Sequence, residues 1–196
     1  MKNAVSCWPG QPSLVQPNHN SESNVDHASF IDSLNSADEA SFVAQLGHIF
    51  EHSPWIPGRA WARRPFASLG ELHGAMLDVL EHASHAEQLA LICAHPELAG
   101  KEADAGSLTD DSTQEQRGAG LDNCSAAEKA HLVECNRAYR ERFGFPFVIA
   151  VKGLTRYDII TAMEKRLQGD PEVEFRECLV QIGRIAGFRL AALETA

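Results

Sequence analysis

The fold class follows from residues 125–144, which are SAAEKAHLVECNRAYRERFG. Ser125 and Glu128 have the spacing of a capping box, in which each side chain accepts a hydrogen bond from the other residue's backbone N–H. Apolar residues then recur every three or four positions, as on one face of a helix. They are Leu132, Cys135, Tyr139 and Phe143. Gly144 follows, a residue that often ends helices. This stretch therefore predicts an amphipathic α-helix.

Similar start signals recur along the chain. Capping-box spacing begins at Ser36, Ser68, Ser84, Ser112 and Thr155, and Asp170-Pro171 is typical of an N-cap followed by a first-turn proline. Most of these signals precede apolar residues at helical spacing. The exception is the β-branched, apolar stretch FPFVIAV at residues 145–151, which is too short for a helix. We therefore expect an all-α fold, a single compact bundle of about seven to eight helices with one short extended segment.

The N-terminal residues differ in composition from the rest. Residues 1–28 are rich in Ser, Asn, Pro and Gln and have no hydrophobic period, so we expect a disordered tail. Residues 29–196 form the predicted helical domain. No stretch approaches the roughly 18 apolar residues of a membrane span, and the N-terminus lacks the apolar core of a secretory signal. The net charge of −10 argues against binding to nucleic acid.

The five cysteines are widely spaced, odd in number and without a CxxC pair. This pattern argues against a disulfide framework or a zinc ribbon, and it favours a reducing cytoplasm. Cys93, Cys135 and Cys178 fall on apolar helix positions, where we expect them to be small core residues.

His95 is the first candidate catalytic residue. The helix begun at Ser84 must end near His95, because Pro96 disfavours α geometry in the residue before it. At a helix C-terminus the macrodipole favours protonated imidazole, which could deliver a proton near neutral pH. The alternative is a capping histidine with no further role.

Glu115 is the second candidate. A loop at residues 97–111 is long enough to suggest a functional role, and it leads to Ser112–Gln116. If a helix begins at Ser112, its free backbone N–H groups could bind a carboxylate or carbonyl, with the Glu115 and Gln116 side chains beside them. The alternative is that Ser112 and Glu115 form only a capping box.

A third candidate is the HxxEH pattern formed by His48, Glu51 and His52. Two histidines four residues apart on a helix could hold zinc with Glu51 as the general base, which would make the chain a zinc hydrolase. Pro54 follows closely, however, and no third ligand is evident. Solvent-facing histidines are the alternative.

Lys152 follows the extended segment directly. A desolvated lysine could form a Schiff base or pair with a substrate anion, whereas an ordinary lysine would place its ammonium in water. Nucleophile-elbow, P-loop and dinucleotide-loop motifs are not found in the sequence.

Five linked motifs resemble the family of 2-oxo-4-hydroxy-4-carboxy-5-ureidoimidazoline (OHCU) decarboxylases, which complete the route from urate to (S)-allantoin. In chain order the motifs are WARRPF at 61–66, CAHPELAG at 93–100, GSLT at 106–109, STQEQRGAG at 112–120 and NRAYRERFGFPF at 136–147. The resemblance spans residues 36–193. It implies an all-helical carboxy-lyase that uses no metal or organic cofactor and is usually a homodimer.

The resemblance also implies site residues. His95 would be the catalytic acid and Glu115 the second catalytic group. The substrate pocket would be lined by Pro96, Ser112, Thr113, Gln114, Glu115, Gln116, Phe147, Val148, Ile149, Ala150 and Val151. Trp61 and Lys152 are further candidates. Many relatives are expected to carry arginine where this chain has Lys152, and lysine cannot make a bidentate clamp on a carboxylate.

The expected substrate is therefore the small molecule OHCU, with no nucleic acid or membrane partner. Its ring can take up the electron pair left by CO₂, so the protein must only desolvate the carboxylate, orient the substrate and return a proton. A non-catalytic helical module that binds a protein in an apolar groove is the remaining alternative.

Overall fold

The computed structural model describes residues 30–100 and 106–193 of the chain. These two ranges contain nine α-helices and one 3-10 turn. No strand occurs in these two ranges, so the all-α prediction is confirmed. The predicted tail at 1–28 lies outside them. The helices are α1 (residues 30–36), α2 (Glu39–Leu46), α3 (Trp55–Trp61), α4 (Leu69–Glu81), α5 (His85–Ala94), α6 (Asp110–Gly118), α7 (Ala126–Phe143), α8 (Arg156–Arg166) and α9 (Pro171–Leu193), with the 3-10 turn at Leu121–Asn123.

Most helix starts lie where the sequence predicts them. Reciprocal capping boxes are present at Ser84, Ser125 and Thr155, and Ser68 accepts a hydrogen bond from the backbone N–H of Glu71. The carboxylate of Asp170 accepts from the first backbone N–H groups of α9. Each such cap contributes about 1 kcal/mol to helix stability.

Two predicted starts are wrong because a better-placed cap stands beside them. Asp38 rather than Ser36 caps α2, through the backbone N–H of Ser41. Thr109 caps α6, so this helix begins at Asp110 and Ser112 lies within its first turn. The two side chains expected to cap therefore serve elsewhere, and Ser112 becomes available to the site.

Helix α2 ends before the HxxEH pattern begins. α2 ends at Leu46, and Ile49 and Phe50 are buried from the turn that follows it. The HxxEH pattern therefore does not lie on a helix, and its two histidines do not share a helical face.

The core is continuous across the helices and includes the predicted extended segment. Phe147 and Val148 are almost completely buried. The backbone N–H of Ala150 donates to Gln181 Oε1 at 3.0 Å, and the carbonyl of Val148 accepts from Arg166 Nη1 at 2.9 Å. Side chains thus satisfy backbone groups that no neighbouring strand pairs with, which allows a lone extended segment to cross a helical core.

A buried polar cluster packs against this extended segment. Glu174, on α9, pairs with Arg166 at 2.5 Å and accepts a hydrogen bond from the Tyr139 hydroxyl. Burial raises the pKa of Cys178 to about 11, and this thiol is a core residue as predicted. Cys135 is also buried, but Cys93 is exposed, which corrects its predicted core position.

The described helices show no membrane-crossing candidate. None of those within residues 30–100 and 106–193 combines the length and apolar character that a bilayer span requires. α9, with 23 residues, is the longest, but it carries charged side chains such as Glu174 and Arg189 along its length.

Candidate active site

The predicted site stretches meet around one small cavity of about 30 Å³. The end of α5, helix α6, the extended segment and α9 all contribute to its wall. The lining residues are His95, Pro96, Leu98, Ser112, Glu115, Gln116, Phe147, Val148, Ile149, Val151 and Ile185. His95 and Glu115 are 20 residues apart in the chain and both line this cavity.

His95 is buried at the end of α5, with only 6% of its surface exposed. Its Nδ1 lies 2.9 Å from the carbonyl oxygen of Leu91. Burial lowers the pKa of His95 to about 4, although the bond to Leu91 and the charge of Glu51 act in the opposite direction. The expected protonated state is therefore wrong, because the desolvation of a fully buried imidazole outweighs the helix dipole.

The neutral state defines which nitrogen is free for chemistry. The carbonyl of Leu91 can only accept a hydrogen bond, so Nδ1 carries the proton. Nε2 of His95 then keeps its lone pair and is an acceptor. At neutral pH this residue is a base that can pass on a proton only after it has received one.

Glu115 forms a bidentate ion pair that the sequence did not suggest. Arg189, on α9, places Nε 2.8 Å from Oε1 of Glu115 and Nη2 3.0 Å from Oε2. The arginine side chain is 5% exposed. Burial lowers the pKa of this guanidinium, but Glu115 and Glu51 outweigh burial and raise it above its usual value.

Glu51 occupies the opposite side of the same arginine. Its Oε2 accepts from Arg189 Nη1 at 3.0 Å and from Ser112 Oγ at 3.1 Å, and its Oε1 accepts from Thr109 Oγ1 at 2.8 Å. Burial raises the pKa of Glu51, but the hydrogen bond from Thr109 and the charges of Arg189 and His95 outweigh burial and lower it overall. The carboxylate is therefore held ionised.

Every N–H of Arg189 has an acceptor within the protein. Nε and one Nη2 hydrogen face Glu115, the other Nη2 hydrogen faces Ser112 Oγ at 3.3 Å, and Nη1 faces Glu51 and the carbonyl of His48 at 3.2 Å. A guanidinium has five such donors. All hydrogen-bond donors of Arg189 are thus used within the protein, and its charge is balanced by Glu51 and Glu115.

The zinc hypothesis loses its geometric premise here. His48 and His52 are exposed in a turn, whereas Glu51 is buried and faces Arg189. Among residues 30–100 and 106–193 no three His, Cys, Asp or Glu side chains come together as a metal-ligand group.

A wider cavity of about 480 Å³ adjoins the small one and shares Glu115, Val151 and Ile185 with it. Lys152 and Phe188 form its outer rim, where the ammonium nitrogen lies 5.0 Å from the ring centroid. The small cavity has room for little more than one water molecule. Any larger ligand of this site would therefore also have to occupy the wider cavity.

The remaining predicted residues are divided among other positions. Gln114 lines the wider cavity, whereas Thr113 lines a separate cavity on the other face of α6. Ala150 lines neither of the two adjoining cavities, and its backbone N–H is held by Gln181. Trp61 donates from Nε1 to the carbonyl of Ala37 at 3.2 Å and stacks on a neighbouring arginine. Trp61 is thus a scaffold residue rather than part of either cavity wall.

The proposed set of free amides at Ser112–Gln116 is also corrected. Because α6 begins at Asp110, the N–H of Ser112 already donates to Thr109 Oγ1 and that of Thr113 to the carbonyl of Thr109. Gln116 instead acts through its side chain. Its Oε1 accepts from the N–H of Ala99 at 2.9 Å, which fixes the loop that follows His95 and Pro96.

Arg189 was not predicted as a site residue, and Glu51 was predicted only as the general base of a zinc site, because the partners of both residues are distant in sequence. The one available signal for Arg189 is its position. It follows Ile182, Ile185 and Ala186 on the apolar stripe of α9, where a charged residue requires a buried partner.

Comparisons with known proteins point to one family. A family model described as OHCU decarboxylase matches residues 35–191. A 2-oxo-4-hydroxy-4-carboxy-5-ureidoimidazoline decarboxylase of Haloferax volcanii is 42% identical over 84% of this chain and 96% of that protein. The uric acid degradation bifunctional protein PucL of Bacillus subtilis is 44% identical over 84% of this chain, which spans 33% of that longer protein. A crystal structure of (S)-allantoin synthase superposes with a TM-score of 0.64 at 30% identity, covering 83% of this chain and 53% of that one.

Proposed function

Because this chain belongs to the OHCU decarboxylase family, we propose that it converts OHCU to (S)-allantoin and CO₂, the last step from urate to allantoin. The observation that carries the proposal is the pairing of a buried, neutral His95 with Glu115 around one cavity. Such a pair can move one proton within a site from which water is largely excluded.

The reaction has a simple electron balance. The bond between ring C4 and the carboxylate carbon breaks and CO₂ leaves. The electron pair of that bond forms a double bond between C4 and the neighbouring ring carbon, while the π pair of the adjacent ring C=N bond moves onto the ring nitrogen, which takes up a proton. The 4-hydroxyl then becomes a carbonyl and gives up its proton. The product gains one hydrogen on the neighbouring ring carbon and one on the ring nitrogen, of which one comes from the hydroxyl and the other from solvent. The ring itself is the electron sink, so we propose no metal or organic cofactor.

His95 fits the proton transfer in this scheme. Its Nε2 can accept the proton of the 4-hydroxyl, since Nδ1 is committed to Leu91. The imidazolium formed in this way can return a proton to the neighbouring ring carbon on one face, which would give a single stereoisomer. We therefore place His95 as base first and acid second.

Glu115 and Lys152 have complementary parts in the proposal. Glu115, held in one orientation by Arg189, can accept a hydrogen bond from a hydroxyl or ureido N–H of the substrate. Lys152 stands at the rim of the wider cavity and would attract the anionic substrate. Pro96, Phe147 and Val151 would contribute shape and exclude water.

The test is to add purified protein to freshly made OHCU and follow the circular dichroism of (S)-allantoin. The proposal expects enzyme-dependent formation of the S isomer, in excess of the spontaneous racemic decay. Treatment with EDTA followed by desalting should leave this rate unchanged. A protein that does not speed formation of the S isomer, or that needs added zinc to do so, is not the enzyme proposed.

A cytoplasmic homodimer completes the proposal. The four cysteines of the described residues are unpaired, which suits a reducing compartment. α9 exposes Val173 and Val180, with 63% and 50% of their surfaces accessible, and a second copy would cover such apolar side chains. Size-exclusion chromatography with light scattering distinguishes a dimer of 21.4 kDa chains from a monomer.

A further inference from the structure

The HxxEH pattern has a different use from zinc binding. We propose that Glu51 is a positioning residue for the decarboxylation, which fixes both Arg189 and the start of α6 so that Glu115 is presented to the cavity beside His95. This inference rests on the proposed function. It concerns a residue that does not line the small cavity and acts through those that do.

Glu51 joins two helices to one turn. Only 2% of its surface is exposed, and its two oxygens accept hydrogen bonds from three side chains. Thr109 caps α6, Ser112 lies in the first turn of α6, and Arg189 comes from α9. A buried carboxylate is stable only when several donors compensate its lost hydration, so these contacts hold the two helices in one arrangement around Glu51.

The link to α6 passes through its cap. The Thr109 hydroxyl accepts from the N–H of Ser112 and donates its own proton to Glu51 Oε1. This hydroxyl therefore has one orientation, and α6 has one starting residue. The first residue of α6 determines where the side chains of Ser112, Glu115 and Gln116 point. Glu51 therefore controls which side chains of α6 line the cavity.

Glu51 contacts α9 through the guanidinium group of Arg189. Glu51 and the carbonyl of His48 take the Nη1 side of the guanidinium. The Nε and Nη2 edge is then left for Glu115, which it meets in bidentate geometry. Without Glu51, the planar guanidinium could turn, and Glu115 would lose its single orientation.

The backbone next to Glu51 adds an independent observation. His52 has a φ of 47°, a left-handed conformation that is unfavourable for a residue with a side chain. Strain of this kind persists where the surroundings over-determine the backbone. The turn at 50–53 is held in place by the anchored Glu51 side chain and by the N–H of Ser53, which donates to the carbonyl of Phe50.

A positioning role differs in a measurable way from a structural ion pair. The charged or titratable groups facing His95 are Glu51, His52 and Arg189, with Glu115 in the same cavity. The charge of Glu51 raises the pKa of His95, so its removal should lower that pKa further. Loss of Glu51 should therefore move the acidic limb of the pH–rate profile as well as reduce turnover.

The experiment compares Glu51→Gln and Glu51→Asp with wild type in the full-length protein. We expect Glu51→Gln to lower kcat by about 10- to 100-fold, with a much smaller change in KM, because the misplaced groups act at the reacting atoms. Its acidic limb should lie at lower pH than that of wild type. Glu51→Asp keeps the charge but has a shorter reach, so it should restore the position of the limb and only part of kcat.

Glu174→Gln is the matched control, since Glu174 is also a buried carboxylate paired with an arginine of a neighbouring helix. It should lower Tm and leave the acidic limb where it is. Thr109→Val and Thr109→Ser provide a second pair in case Glu51→Gln does not fold. The valine variant should lose turnover and the serine variant should keep it.

The outcomes separate the two levels of inference. A wild-type protein inactive on OHCU would overturn the proposed function itself. An active wild type whose Glu51→Gln variant keeps kcat and the same pH profile, or behaves like the Glu174→Gln control, would overturn the role of Glu51 alone. If Glu51→Gln is unfolded and Thr109→Val retains full turnover, the role is likewise overturned.

Discussion

Arg189 and Glu115 meet in a two-pronged ion pair between the last helix and α6, with N···O distances of 2.8 and 3.0 Å. The two residues are 74 positions apart in the chain. Because the same guanidinium also bonds Glu51, one cation faces two carboxylates in the interior of the site. Glu115 is therefore a held group with a defined direction, which is what a role in orienting a substrate requires.

His95 and Glu115 should be the two residues on which turnover depends most. His95→Asn and Glu115→Gln should each lower kcat by about 100-fold or more, the usual scale for lost acid–base assistance. If the two act as one unit, the double variant should be hardly slower than either single variant. Steady-state rates on fresh OHCU check this. Near-normal kcat in both single variants, with a lower Tm, would mean that these residues only support the fold.

The rate should remain constant to unusually low pH for a histidine-dependent enzyme. Burial holds the pKa of His95 at about 4, so Nε2 stays unprotonated through the neutral range. We expect kcat/KM to fall only as the pH approaches about 4 to 5, where the base becomes protonated in the free enzyme. A profile that instead declines above neutrality with loss of an acid would restore the simpler picture of a protonated His95.

Stability should also depend on the pH through His95. Its pKa is about 4 in the folded chain against the ordinary histidine value of 6.5, so between these values the unfolded chain binds more protons. The resulting contribution to the free energy of unfolding is fully present above about pH 6.5 and is lost as the pH falls towards 4. The loss amounts to at most about 3 kcal/mol. Urea unfolding of wild type and His95→Asn at several pH values isolates it. Parallel curves for the two proteins would show that His95 does not carry the shift.

Arg189 should be the least replaceable charge in the described part of the chain. Arg189→Met would leave Glu51 and Glu115 without their cation, and breaking one partner out of a buried pair costs about 3–5 kcal/mol. Arg189→Lys keeps the charge but supplies three donors in place of five, so it should fold better and still turn over slowly. Chemical denaturation measures the first effect. An Arg189→Met variant as stable as wild type would contradict the buried network.

Lys152 should affect substrate capture more than the chemical step. Its ammonium lies at the rim of the wider cavity, over the ring of Phe188. Lys152→Arg should retain most activity, whereas Lys152→Met should raise KM with little change in kcat. The KM of the methionine variant should also lose most of its salt dependence. Trapping of a covalent adduct at Lys152 by borohydride would replace this account.

The parts of the site that are local in sequence could be predicted, and those that depend on tertiary contacts could not. Pro96 constrains the residue before it wherever it occurs, so the end of α5 at His95 followed from two adjacent residues. Thr109 and Ser112 are both able to cap a helix, and in the structure Thr109 is the cap while both hydroxyls donate to Glu51, 58 and 61 positions away. The sequence alone contains no sign of those contacts.

The ionisation state of His95 illustrates the same limit. Its place at a helix C-terminus indicated a protonated imidazole, which is correct for an exposed residue. The helices that bury it are α5, α6 and α9 together with the extended segment, and none of their packing can be deduced from residues 84–96. Burial of the imidazole, rather than its position at the end of α5, determines whether His95 is charged.

The saturation of Arg189 has a consequence for the end of the catalytic cycle. Two carboxylates and one guanidinium leave a surplus negative charge in the inner part of the site, while Lys152 provides a positive charge at its mouth. On the proposed function, an anionic substrate would be attracted to that mouth with its carboxylate outwards, and CO₂ would depart directly into the open cavity. Allantoin is uncharged and loses the attraction to Lys152. The enzyme should therefore show little product inhibition, even when allantoin accumulates well above the substrate.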